Sequence, residues 1–341
     1  MRATAHSQAM THLLAAVFHI RLAAEDDMSY LRAISVSSFL LLASTLVNSQ
    51  QLAEVFDNPS EHIIRRVDEV VLMISATDRR GRFISNMRRE DFEILDNHHP
   101  PSKWNYFQSH TDLPLRVMLV VDTSTSVGER LRLEQKAACA FLKRVLRPNV
   151  DEVGLIAFES EVHKVQPLTK DVSTIAAAIK NLHVGDETKL YDALVTGSQE
   201  LNQISEVQPL RRVILLVTDG VDTKSQVSLE RAEQELLKSE AVVLAFDANN
   251  PSDQVPKGAK VLQDLALSTG GFVLPSQDTS DFISALRKAE LFLRNQYAVG
   301  YTPMALKADG SFRPIEVKAI RHGLRLHSRN GYYAPKRDAQ E

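Results

Sequence analysis

Between Arg116 and about Leu293, apolar runs alternate with amphipathic stretches. The segments 116–122, 153–158, 162–167, 211–218, 241–246 and 271–274 read as strands. Several are near-continuous runs of Val, Ile and Leu, as strands covered on both faces are. Helical periodicity fills 128–146, 171–182, 189–205, 228–239, 258–268 and 280–294. Such alternation predicts an α/β fold: a doubly wound, mostly parallel sheet with helices on both faces. Only Glu159-Ser160-Glu161 separates 153–158 from 162–167. That is too short for a crossover, so this pair predicts one antiparallel edge strand.

On both sides of this region the period drops to that of strands. Val67–Thr77, Phe83-Ile84, 91–96 and 104–108 read as short strands, with turns at Asp78–Arg82 and Asn97–Pro100. Gly81 supplies the positive φ of the first turn. Strands return at 296–301, 313–320, 324–327 and 331–333, and Asp309-Gly310 is a hairpin signal. Neither flank is long enough to bury a core alone. Together they predict one small β-sandwich, split by insertion of the α/β domain. The expected plan is a targeting segment at 1–50, sandwich halves at 62–112 and 296–335, and the α/β domain at 113–295.

Composition narrows the function. With 341 residues the chain can hold two domains, and 44% hydrophobic with 24% charged residues is ordinary for a soluble globular protein. A net charge of −3 and no Lys/Arg block argue against nucleic acid as a partner. Cys139 is the one cysteine, so no intrachain disulfide forms, and its position on an apolar helix face suits an inert thiol. Arg32, the apolar stretch Ala33–Val47 and the small residues to Ser49 read as an export signal starting at Met28. The mature chain is then expected to begin near Gln50, outside the cytoplasm, with no stable membrane span.

The chemistry sits where strands end. Val117–Val121 runs into Asp122-Thr123-Ser124-Thr125-Ser126, and Val213–Val217 into Thr218-Asp219-Gly220. Thr188 stands between them at a loop-to-helix junction. Open α/β sheets bind ligands at this edge, and carboxylates with hydroxyls suit Mg²⁺, Mn²⁺ or Ca²⁺. As helix caps such residues would be unremarkable, but five oxygen-bearing groups at predicted strand ends point to an ion.

Asp-x-Ser-x-Ser, the later Thr188 and the strand-terminal Asp219 resemble, in order and placement, the metal-ion-dependent adhesion site of von Willebrand factor A domains. The resemblance implies Ser124, Ser126 and Thr188 as direct hydroxyl ligands. Asp122 and Asp219 would act largely through water, leaving a position open for an Asp or Glu of a partner protein. Asp186 and Glu187 depart from the small residues common before the threonine. Asp91-Phe92, Gln296–Tyr301 and Gly331–Pro335 further resemble the exported bacterial "VWFA-related" proteins frequent in Acidobacteria. The expected function is non-enzymatic, metal-dependent protein binding.

The enzymatic alternative is an Mg²⁺-dependent phosphohydrolase of the haloacid-dehalogenase kind, with Asp122 as nucleophile. Ser124 stands where that chemistry needs a second acid. An EF-hand is excluded by Val127 and Leu133, and Gly-x-Ser-x-Gly, Gly-x-Gly-x-x-Gly and Walker motifs are absent. His98-His99, Glu159 and Glu161 read as solvated polar turns, and Trp104, Tyr106 and Phe107 as sandwich core. The Asp247–Asn250 loop follows a strand, and either borders the site or is a simple polar loop.

Overall fold

Strand β4 (Leu115–Asp122) is buried along nearly its whole length, as its unbroken apolar run requires. It is the centre of a six-stranded sheet in the order β6-β5-β4-β7-β8-β9. The structure, a computed structural model, describes residues 69–109, 113–124, 131–182, 184–203, 210–249, 258–276 and 278–336. The segment 1–50, its expected starts at Met28 and Gln50, and Ser126 lie outside the described residues.

β5 (Glu152–Phe158) and β7 (Arg211–Thr218) flank β4 in parallel, and β8 (Ala241–Asp247) and β9 (Phe272–Pro275) continue the sheet. β6 (Val162–Thr169) pairs antiparallel with β5, so the short hairpin makes the edge strand its length demands. Order reverses between β4 and β7, whose carboxyl ends lie side by side.

Among the described residues six helices cover the sheet: α1 (Leu131–Val145), α2 (Val172–Lys180), α3 (Leu190–Asn202), α4 (Leu229–Ser239), α5 (Ala259–Thr269) and α6 (Thr279–Arg294). Alternate residues of the strands feed two cores. Val117, Leu119, Leu215 and Leu244 pack with Phe141, Phe282 and Phe292 on one face. Met118, Val120, Ile214 and Val243 meet Leu194, Leu236 and Leu262 on the other.

The flanks form two further antiparallel sheets. One has the order β12-β1-β10-β3, from β12 (Leu324–His327), β1 (Val70–Asp78), β10 (Tyr297–Thr302) and β3 (Lys103–Ser109). The other is β13-β11-β2, from β13 (Gly331–Tyr333), β11 (Phe312–Ala319) and β2 (Phe92–Asp96). Leu72, Ile74, Tyr297, Val299 and Tyr301 share one core with Phe92, Ile94, Ile315 and Tyr332. Each sheet therefore mixes strands from before and after the α/β region. Ser109 of β3 lies opposite Tyr297 of β10, so the chain leaves and re-enters the sandwich at paired positions.

Phe83-Ile84 is not a strand: Phe83 makes only an isolated bridge with Thr77. The Ile84 amide donates to the Ala76 carbonyl at 2.9 Å, and the Tyr297 hydroxyl also holds this stretch, donating to the Ile84 carbonyl at 2.7 Å and accepting from the Met87 amide at 3.1 Å. Cys139 is half-buried, and burial raises its thiol pKa. Of the aromatic trio, Phe107 stacks on Tyr297, Tyr106 packs over Gly300, and Trp104 carries Arg89 4.9 Å above its ring.

Candidate functional site

The hydrophobic run of β4 delivers Asp122 to the sheet edge, where its side chain is fully buried. Two donors fix it. The Ser124 amide reaches Oδ1 at 2.9 Å and the Thr218 hydroxyl reaches Oδ2 at 2.6 Å. Burial pushes the Asp122 carboxyl above the usual carboxylate range, those hydrogen bonds oppose the shift, and the negative charge of Asp219 adds to it. Asp122 thus senses the Asp219 charge across the switch point between β4 and β7.

Thr188 arrives by a different route. Gly185 donates its amide to the Thr123 carbonyl at 2.9 Å and bridges to Ser124, pinning the 184–188 loop against the end of β4. A side chain at Gly185 would collide with Glu159, 2.7 Å from the nearest carbon. Thr188 and Ser124 are both buried to 7% exposure. Glu159, expected as a solvated tip residue, is instead packed under this loop. Its carbonyl accepts the Lys189 amide, its carboxylate bonds Ser160, and His163 lies 3.0 Å away. Glu161 matches the expectation at 69% side-chain exposure. Of the two acids beside the threonine, Asp186 is exposed and Glu187 is ion-paired with Lys224 at 2.7 Å.

Asp219 follows β7 and is half-buried, with Oδ1 accepting from the Val221 amide at 3.0 Å. Gly220 at φ +81° turns the chain beneath Gly258, where a Cβ on either residue would strike backbone. The Asp247–Asn250 loop is not a plain polar loop: buried Asn249 donates from Nδ2 to the Asp219 carbonyl at 2.8 Å. Asn250 lies outside the described residues. Sequence reasoning assigned no role to Thr218, and offered the Asn249 loop only as a border of the site or a simple polar loop. The polar residue closing an otherwise apolar β7 was the available signal for the first. His98-His99 stays an exposed turn, with His98 3.5 Å from Glu316.

Asp122, Ser124, Thr188 and Asp219 therefore border one edge of the sheet. Among the described residues no group of three or more His, Cys, Asp or Glu side chains gathers for a metal. The donor set is of another kind: carboxylate and hydroxyl oxygens, with a carboxylate pair whose repulsion a divalent cation relieves. Its chemistry fits Mg²⁺, Mn²⁺ or Ca²⁺.

Comparisons bear on the fold around this edge. Solved structures resembling the chain include a von Willebrand factor type A protein from Catenulispora acidiphila, 12% identical over 82% of this chain and 76% of that one, TM-score 0.48. BatB from Bacteroides thetaiotaomicron is 14% identical over 52% of this chain and 98% of its own, TM-score 0.43. The von Willebrand domain of the Porphyromonas gingivalis type V pili tip protein Mfa5 is 22% identical over 35% and 43%, TM-score 0.31. No curated protein matches the sequence. Over residues 117–221, from β4 to the end of β7, this chain matches the von Willebrand factor type A domain family.

Proposed function

We propose that the protein binds a divalent cation through Asp122, Ser124, Ser126, Thr188 and Asp219, and uses it to recognise an acidic residue of a partner protein. The observation that carries the reading is the pairing of two carboxylates with the buried Ser124 and Thr188 hydroxyls at the sheet's switch point. Neutral hydroxyls keep the ion electrophilic. When bound, the ion supplies a Lewis-acidic position for an outside carboxylate. Thr218 and Ser124 orient Asp122, Asn249 holds the Asp219 turn, and the Lys224–Glu187 pair offsets an acid that would repel an anionic partner. A phosphohydrolase reading gains nothing here. Both Asp122 oxygens are engaged by protein donors, and Ser124 occupies the position where an acid would be needed. The apolar stretch 33–47 supports action outside the cytoplasm.

The test is capture from envelope extracts on immobilised wild type and Asp122→Ala, in Mg²⁺ or in EDTA. Retention of a partner by wild type in Mg²⁺ alone is expected. Equal retention in all four conditions contradicts metal-dependent recognition.

A further inference from the structure

Helix α3 begins without a cap of its own. Lys189 stands at its N-cap position and makes no side-chain cap hydrogen bond, although the first amides of a helix need acceptors. They find one on another loop. Ser225, six residues beyond Asp219, accepts from the Tyr191 and Asp192 amides at 3.0 and 3.1 Å. Asp192 returns the interaction, its carboxylate accepting from the Gln226 and Val227 amides at 3.0 and 3.1 Å. Ser225 also donates to Asp222, whose Oδ1 accepts from the Tyr191 amide at 3.3 Å.

The same two segments grip each other one turn earlier. The Thr188 amide donates to Thr223 Oγ1 at 2.9 Å, and the Thr188 carbonyl accepts from the Thr223 and Lys224 amides at 3.0 and 3.1 Å. Thr188 is held through its backbone, so its hydroxyl takes no part in these bonds. The Thr188 loop and the Asp219 loop come from different parts of the chain, yet they are stitched into one unit by reciprocal hydrogen bonds.

We propose that Thr223, Ser225 and Asp192 form a latch that positions Thr188 and Asp219 together, so that the two present their oxygens to the cation as a preset pair. This rests on the metal-binding reading above. All three are positioning residues: none is placed on the ion, and each acts through a loop that carries a ligand. Residues that orient metal ligands commonly change affinity about 10–100-fold when removed.

Two readouts separate the latch from the metal site. Mn²⁺ titration of the full chain should show Thr223→Val and Asp192→Ala weakened about 10–100-fold, with Thr223→Ser close to wild type because it keeps the acceptor oxygen. Hydrogen exchange of the metal-free protein should show the Thr188, Thr223, Gln226 and Val227 amides losing protection together in Asp192→Ala, while strands β4 and β7 stay protected. If the wild type binds no Mn²⁺, the metal reading fails and the exchange experiment still decides the latch. Unchanged exchange at Thr188 in Asp192→Ala, or equal Mn²⁺ affinity in wild type and Thr223→Val, overturns it.

Discussion

Asp96 places a carboxylate at the centre of the β-sandwich with no solvent exposure, and three side chains answer it. Arg313 reaches Oδ1 from Nε and Nη2 at 2.9 and 2.7 Å, while Tyr301 and Tyr332 donate to Oδ2 at 3.0 and 2.9 Å. These residues come from β2, β10, β11 and β13, so one charge ties both sheets and both flanks together. Burial, followed by the Asp96 charge, holds the Tyr301 and Tyr332 hydroxyls well above the usual phenol range. Asp96→Asn should cost about 3–5 kcal/mol, the range for breaking a buried ion pair from one side; urea melts of the two proteins measure it. The sequence marked Tyr301 and Tyr332 as members of recurrent phrases, but their shared acceptor was not legible. Contacts between residues two hundred positions apart leave no local periodicity. His327 offers a second residue-scale test. Burial lowers its pKa below the ordinary imidazole value of 6.5, helped by Arg325 and opposed by a hydrogen bond with the Gly271 backbone. The unfolded chain therefore takes up this proton first, and its contribution to stability is present above 6.5 and lost as pH falls toward the folded pKa. His327→Gln should flatten the decline of melting temperature between neutral and mildly acidic pH. An identical decline in wild type and variant would show that His327 does not titrate in this way.

Among the elements, the split of the sandwich has the clearest physical consequence. β10 is the shared neighbour of β1 and β3, and β11 is the partner of β2. The crossing into the α/β domain is pinned by Arg211 at the start of β7, which donates to the Leu113 carbonyl on the way in and the Leu293 carbonyl on the way out. Ending the chain after Leu293 should leave Leu72 and Ile74 exposed and the edges of β1 and β3 unpaired. We expect limited proteolysis of that truncation to degrade 69–109 while 113–293 persists. Protection of 69–109 in the truncated protein would contradict mutual dependence of the halves. Strand and helix placement in the α/β region followed from apolar runs of the right length, and the antiparallel edge followed from a loop too short to cross. Phe83-Ile84 misled because two apolar residues satisfy a strand pattern, whereas they make only one bridge to β1, with the Ile84 amide on the Ala76 carbonyl and the Tyr297 hydroxyl on the Ile84 carbonyl. Glu159 misled because a hairpin-tip position does not reveal that Gly185 packs over it.

At the scale of the whole molecule, two like charges at neighbouring strand ends are costly unless something positive completes them. Asp122, Thr188 and Asp219 were legible because each closes or opens an element, where a polar residue breaks an apolar pattern. Thr218 carried the same signal at the end of β7, whereas Asn249, Thr223 and Ser225 did not, since ordinary polar loop residues gain a role only from what the fold sets beside them. A cation bound by the native state alone stabilises it by about 2.7 kcal/mol at a hundredfold excess over Kd, a rise of roughly 4 °C for a protein of this size. No helix among the described residues is long and apolar enough to cross a membrane. Calorimetric titration of Mn²⁺ into wild type and Asp219→Ala is the most direct measurement. One saturable site in the wild type, with binding at least about tenfold weaker in the variant, is the expected result. The same isotherm from both proteins, or none from the wild type at millimolar Mn²⁺, Mg²⁺ and Ca²⁺, would contradict a cation site built on these two strand ends.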